Sequence, residues 1–275
     1  MMAGQRMEYI GLNRSELKYR FTAGRMPTEE DFMSLIDSMV NAVDDGFRVS
    51  EENGLEIKQR RDNSRLASFF SNLAERKPEW FASVRKNIEQ GETCLNIKTP
   101  EMKEDETAVT LLSKRSAENP EGASEIRMGV GCVAPQSELD VNGVIASKGR
   151  LGYENENLEV VADGEWHDVT EVLTGCQCFE IVAGVGGNEG DGKFALAHAI
   201  AVNTFNKNPS INLTQSYSGG RGSKIDIRWK TAANKFEFTL QLRVHHKYDD
   251  EGKVKVRYRL TKLWYDTQMI GSIGK

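Results

Sequence analysis

The side chains of this 275-residue chain best suited to chemistry crowd toward its end. Lys224, Arg228, Lys230, Arg243, Lys253, Lys255, Arg257 and Arg259 alternate with apolar residues there, and His245 and His246 stand between two of these runs. Cations at alternate positions of adjacent strands form a surface of one sign. Such a surface attracts acidic polysaccharide, lipopolysaccharide phosphate or an acidic protein, and does so less as salt rises. The plainer alternative is a solvated outer sheet face with no ligand. The segment His245, His246, Lys247 and Tyr248, with Trp264 and Tyr265, adds rings of the kind that enrich binding centres. Parity along the strands nevertheless puts Trp229 and Trp264 on the apolar side, as core.

Other reactive types are scattered. Cys94, Cys132, Cys176 and Cys178 include one C-x-C with His198 as the sole nearby third ligand. A zinc site wants four, so free, largely buried thiols are expected. His198 shares its parity with Phe194, Leu196, Ile200 and Val202, which predicts a buried histidine. Asn188, Glu189 and Asp191 sit in a GNEGDG turn that lacks the oxygen pattern of a calcium loop. Trp166 and His167 follow the turn Asp163 to Glu165, and exposure or anchorage of a strand edge accounts for them equally well. No G-x-S-x-G, Walker or H-E-x-x-H sequence occurs. The chain is therefore expected to have no catalytic residues, cofactor or metal.

The charge balance is 36 basic to 41 acidic residues, a net −5. Residues 211 to 275 hold 13 Lys/Arg against 6 Asp/Glu, a local +7 that leaves −12 on the rest. That distribution excludes a wholly basic nucleic-acid binder but permits a basic face. No apolar run reaches 18 residues, and the first 20 residues contain no apolar core of a leader. Cytoplasmic synthesis without a signal peptide and without membrane insertion is expected.

The elements that must position these residues fall into four stretches. Residues 1 to 24 read as a tail. In 25 to 46, Thr28 and Asp31 form a capping box, and Phe32, Leu35, Ile36, Met39, Val40 and Val43 recur at helical spacing until Gly46. The subset Phe32, Ile36, Met39 and Val43 steps by four, three and four, as in a coiled-coil seam. An amphipathic helix packed on its own domain and one meeting its copies around an axis both fit this pattern. Residues 47 to 152 carry short apolar pieces, Leu66 to Phe70, Trp80 to Val84, Cys94 to Ile97 and Ala108 to Leu112, none able to bury a sheet alone. A chain of this kind often completes its core with neighbouring chains. Residues 153 to 275 carry strand patterns at 179–185, 194–202, 211–217, 225–230, 236–244 and 254–264, which predict an antiparallel β-sandwich or barrel. Parity there places all eight cations on one outer face of the last three strands.

One further stretch carries a likeness. Met128 to Gly152, with Gly129, Gly131, Pro135, Leu139, Asp140, Val141, Gly143, Gly149, Arg150 and Gly152, resembles the glycine-punctuated segment of phage tail-fibre-like proteins. The stretches 22 to 40 and 162 to 186 look like those of cap adhesins and fibres of extracellular contractile injection systems. The resemblance implies a mainly β homotrimer with an N-terminal coiled-coil-like helix, an intertwined trimeric β shaft and a C-terminal antiparallel β-sandwich head. In that picture Phe32, Leu35, Ile36, Met39 and Val43 align three chains. The head binds a cell-surface glycan or lipopolysaccharide, or caps a spike, and baseplate or spike subunits are further partners in an extracellular or virion-like particle. A glycan-degrading tailspike and an internal baseplate assembly protein are the alternatives.

Overall fold

The structure is a computed structural model and describes residues 12–39, 41, 45–59, 65–115, 123–153 and 159–274. It is mainly β, with several antiparallel sheets, and divides into two compact units, Met1–Ala146 and Ser147–Lys275.

The first unit begins with helix α1 (Arg14–Arg20), inside the stretch the sequence presented as a tail. Asn13 caps it, and Glu16 returns a bond to the Asn13 backbone N–H at 2.9 Å. Helix α2 (Glu29–Asp37) starts at the expected Thr28/Asp31 capping box but is shorter than the apolar spacing predicts. Its chain turns at Ser38, whose hydroxyl donates to the Leu35 carbonyl at 2.8 Å, so Met39 lies beyond the helix. Val40 and Val43 lie outside the described residues. Arg20 joins the two helices by donating to Asp31 at 2.6 Å. That bond, with those from Thr28, holds the Asp31 carboxyl down at about 2.

Strands β1 (Phe47–Ser50) and β2 (Gly54–Ile57) make a hairpin. Its polar side is closed by Glu56, which accepts from Ser50, Arg48 and Asn53 and is held at about 2 by these bonds, Ser50 contributing most. A six-stranded sheet follows: β3 (Arg65–Phe69), β4 (Trp80–Asn87), β5 (Glu92–Lys98), β6 (Val109–Lys114), β7 (Glu125–Val130) and β8 (Leu139–Val141) pair in chain order. The four short apolar pieces seen in the sequence thus build one sheet within one chain. Only β8 runs parallel, alongside β7.

Two glycines of the 128–152 stretch, Gly129 and Gly131, have local reasons. A Cβ on Gly129 would overlap the Cys132 carbonyl oxygen, and Gly131 turns the chain at φ +67°. Asp140 then closes the loop by accepting from the Gln136 N–H at 2.9 Å.

The second unit holds β9 (Glu159–Val161), β10 (His167–Asp168), β11 (Leu173–Thr174), β12 (Cys176–Gly186), β13 (Phe194–Thr204), β14 (Lys207–Ser218), β15 (Ile225–Thr231), β16 (Glu237–Val244) and β17 (Lys255–Lys262). Five form a sheet in the order β14-β13-β12-β17-β9. In the other sheet β16 is central, with β15 along one edge and β10 and β11 along the other. Both sheets contribute to one hydrophobic cluster, which makes the unit a two-layer β structure.

Register decides what enters that cluster. Phe179, Ile181, Ala183 and Val185 of β12 stand opposite Ala201, Ala199, Ala197 and Ala195 of β13, and all eight are buried. The alanine row leaves volume for Leu240, Leu242 and Val244 of the facing sheet. Phe194, Leu196, His198, Ile200 and Val202 consequently point outward, against the expectation of a buried His198. Trp229 is packed against the cluster as expected, but Trp264 lies past the end of β17 and is 39% exposed. All four cysteines are free, with Cys176 buried and the others half-buried.

Two tests follow from these contacts. Gly129→Ala should lower stability by about 1–3 kcal/mol, read as a lower urea midpoint, because the added methyl overpacks a backbone contact. Asp31 is depressed in the folded state, so its stabilising contribution is complete above the unfolded value near about 4 and is lost as pH falls toward 2. An NMR titration should place its midpoint near 2. Arg20→Ala should move that midpoint back toward about 4, and an unmoved midpoint would refute the assignment.

Candidate functional site

The sequence's single basic face is divided by the topology. β15 and β16 pair with each other, but β17 pairs with β12 and β9 in the other sheet. Arg228, Lys230 and Arg243 therefore belong to the four-stranded sheet, with Lys224 just before β15, whereas Lys255, Arg257 and Arg259 belong to the five-stranded one. Lys253 precedes β17 and pairs with Glu251. The chain between Val244 and Val254 carries the strand from one layer to the other, and residue parity alone cannot register such a change of sheet.

The outer side of the four-stranded sheet is the most highly bonded polar surface of this unit. Asp168 accepts from the Thr239 hydroxyl at 2.7 Å and from Gln241 Nε2 at 2.9 Å. Gln241 in turn accepts from Arg228 Nε at 2.8 Å. Arg243 Nε donates to Asp226 at 3.1 Å, and His245 Nδ1 lies 3.2 Å from the same oxygen. Thr239 and Gln241 are buried despite their outward parity, both bonded to Asp168 on the neighbouring strand, with Arg228 and Arg243 beside them meeting the Trp166 ring. The Thr239 bond, then that of Gln241 and the nearby Lys230 and Arg228 charges, outweigh partial burial and hold the Asp168 carboxyl below the usual range.

Trp166 completes the surface. Its ring centroid lies 4.1 Å from Cζ of Arg228 and 4.5 Å from Cζ of Arg243. The ring is positioned by the turn before it, where the Glu165 N–H and His167 Nε2 both meet Asp163 Oδ1 at 2.9 Å. Each arginine uses Nε to bond a neighbouring side chain of the sheet and holds its Cζ against the indole, so each guanidinium is held at two points. Trp166, Asp168, Thr239 and Gln241 were not singled out as binding residues from sequence. The available signal was a Trp directly after a D-G turn, together with a strand whose polar positions, Thr239 and Gln241, carry no charge.

The remaining expected residues are dispersed. Lys224 Nζ lies 5.1 Å from the Tyr217 ring, Lys230 is exposed, and the His245 and His246 rings sit 5.0 Å apart. Arg257 is exposed; Lys255 and Arg259 are half-buried. In the turn at 187–192, Asp191 accepts from the Asn188 N–H at 3.1 Å and so closes the turn itself. Among the described residues no cluster of three or more His, Cys, Asp or Glu is placed to hold a metal ion.

The residues expected to join copies are partly described. Phe32, Ile36 and Met39 are more than half exposed, and Leu35 is half-buried. Phe32 meets Phe21 edge-on at 5.4 Å. The hairpin and the six-stranded sheet show the same disposition. Phe47, Val49, Leu55 and Ile57 share one exposed face of the hairpin, opposite the bonded Glu56 side. In the large sheet, Asn96, Thr110 and Lys98 are buried, with Thr110 donating to Asn96 at 2.7 Å and Lys98 Nζ to the Glu104 carbonyl at 2.8 Å. Trp80, Ile97, Leu111, Ile126, Met128 and Val130 on the opposite side remain exposed.

No protein-family model and no curated protein matches the chain. Among solved structures, the tailspike protein of Acinetobacter phage vB_ApiP_P1 aligns with a TM-score of 0.26 and 11% identity. The alignment covers 54% of this chain and 27% of that one, and a likeness at this level carries no argument about fold or role.

The Asp168 network makes its own prediction. Asp168→Ala leaves two buried polar side chains without their acceptor and should cost about 1–3 kcal/mol in urea denaturation. Asp168→Asn, which keeps one acceptor oxygen, should cost less, and equal losses would refute the pairing.

Proposed function

We propose that this chain is a non-enzymatic structural and recognition subunit of a phage-tail-like contractile particle, a tail fibre or cap adhesin that works as a homotrimer. The observation that carries this reading is the outward apolar side of three successive elements, α2, the hairpin and the six-stranded sheet. In the hairpin the polar side is already satisfied within the chain, and in the sheet the side holding Asn96, Thr110, Phe81 and Leu112 is covered, so the surface left for a partner is the exposed apolar one. Strands β4 to β8, spaced about 4.8 Å apart and rising about 3.3 Å per residue, span an apolar face of about 500 Å². Such a face is at the upper end of what soluble monomers expose and marks an association site. Three copies meeting through these surfaces would bury them, as the intertwined shaft of the sequence resemblance requires.

The four-stranded sheet then supplies recognition. Arg228 and Arg243, anchored through Nε and backed by Trp166, keep the outer ends of their forks for a carboxylate or phosphate on a cell-surface glycan or lipopolysaccharide. Baseplate or spike subunits of the particle are the other proposed partners, and assembly follows synthesis in the cytoplasm.

Light scattering of the purified chain should give three times the 30.8 kDa subunit mass. Leu111→Asp with Ile126→Asp, on the exposed sheet face, should reduce that mass while leaving strand content intact. A monomeric parent protein would overturn the homotrimer. Retention of lipopolysaccharide on immobilised protein should fall with salt and fall at least about tenfold in Arg228→Ala/Arg243→Ala, a loss of about 1.4 kcal/mol.

A further inference from the structure

We propose that the outer face of the five-stranded sheet is a second self-association surface, closed by sibling copies of this chain. The inference rests on the homotrimer reading and adds to it a contact that the sequence did not suggest. Alternation along β13 puts alanines into the core and the large apolar residues outside, so Phe194 and Leu196 are 59% and 60% exposed. Val202 on the same strand and Val182 on β12 are 40% and 43% exposed, and Ile200 stands between them on the same side.

Local geometry makes this face flat. Gly186 and Gly184 of β12 stand opposite Phe194 and Leu196. A Cβ on Gly186 would lie 3.3 Å from the Phe194 ring, and one on Gly184 3.6 Å from Leu196 Cδ1. Both side chains therefore recline over bare backbone instead of standing clear of it. The next strand, β14, contributes Ser210, Asn212, Thr214, Ser216 and Ser218 in register, a row of short uncharged groups.

Charge on the face is arranged for burial. Glu180, at its centre, has a side chain only 15% exposed and meets Arg150 Nη2 at 2.6 Å and His198 Nε2 at 2.9 Å. A carboxylate already paired this way loses less on desolvation than a bare one. Lys255, Arg257 and Arg259 run along one side, and Glu189 and Asp191 lie at the β12–β13 turn, so the rim of one copy offers both signs to another. That distribution, an apolar centre with a polar rim, is the anatomy of a specific interface.

The size fits a copy of the chain. Strands of 12, 11, 11, 8 and 3 residues make up the sheet. At the usual spacings they cover about 700 Å², close to the roughly 800 Å² each partner gives to a stable interface. A sibling chain is also the partner proposed above for the apolar surfaces of the first unit. The opposite outer side is covered by Trp166 and its polar network, which leaves that side for solvent or target.

The test uses thiol accessibility in the full-length assembled protein. Cysteine is placed at Leu196→Cys and, as a second probe on the same face, at Thr214→Cys, with Lys230→Cys on the other sheet as reference. Labelling by a maleimide is followed by peptide mass, which separates these sites from the native thiols, and the subunit count is measured on the same samples. Labelling at 196 and 214 should be at least about tenfold slower than at 230, because reaction would need the interface to open. Equal rates in a particle of three subunits would overturn this inference and leave the homotrimer standing. A mass of one subunit would overturn both.

Discussion

A strand sends successive side chains to opposite faces, so a lone sheet can bury one face with its own chain and must leave the other for something else. The six-stranded sheet of Met1–Ala146 resolves this constraint in an unusual direction. Its covered side mixes buried Phe81 and Leu112 with the Asn96–Thr110 bond and the Lys98 ammonium held by backbone carbonyls. Its open side is apolar. The hairpin repeats the pattern, with Glu56 saturated by Ser50, Arg48 and Asn53 on one side and Phe47, Val49, Leu55 and Ile57 exposed on the other. Contacts inside the chain thus fix which face stays open, and on the proposed reading that face is the one used for association. The hydrophobic effect then favours a partner of similar character.

The second unit meets the same constraint by pairing two sheets, which buries one face of each and leaves two outer faces of opposite chemistry. One is polar and bonded to itself, with Asp168 gathering Thr239 and Gln241 while Arg228 and Arg243 flank Trp166. The other carries an apolar strip on β13 and β12 between the polar row of β14 and the cations of β17, with its central acid, Glu180, already paired. The alanine row of β13 links these properties. Small residues inward admit the large side chains of the facing sheet, and by alternation the large residues of β13 must then face out.

These features bear on function through location. A surface that presents fixed arginines beside an indole suits an acidic ligand, and a flat apolar sheet suits a protein. On the proposed reading the chain turns its apolar faces to its siblings and its cationic face to a target surface. Its parts then follow from one division of labour between association and recognition.

Much of the architecture was legible in advance because it depends on near neighbours in the chain. The Thr28/Asp31 cap, the six strand patterns of the second unit and the turn glycines Gly129 and Gly131 are local, set by side-chain reach and backbone sterics. The same local logic applies to α1, whose Asn13/Glu16 capping box lies in the stretch that reads as a tail. The length of α2 was not legible, since apolar spacing beyond Ser38 continues whether or not the helix does. Periodicity also separated the two sides of β13, β15, β16 and β17. Sequence by itself therefore determined the start of α2, the six long strands of the second unit and the alternation of side chains along them. Only the tertiary structure decided which face was buried: it turned His198 outward and Ala199 inward, placed Arg228 and Arg257 in different sheets, and brought Trp166 onto Arg243. The reason is physical. Which face is buried depends on the volume and hydrogen-bonding groups of strands far away in the chain, and the alternation within one strand contains no information about them.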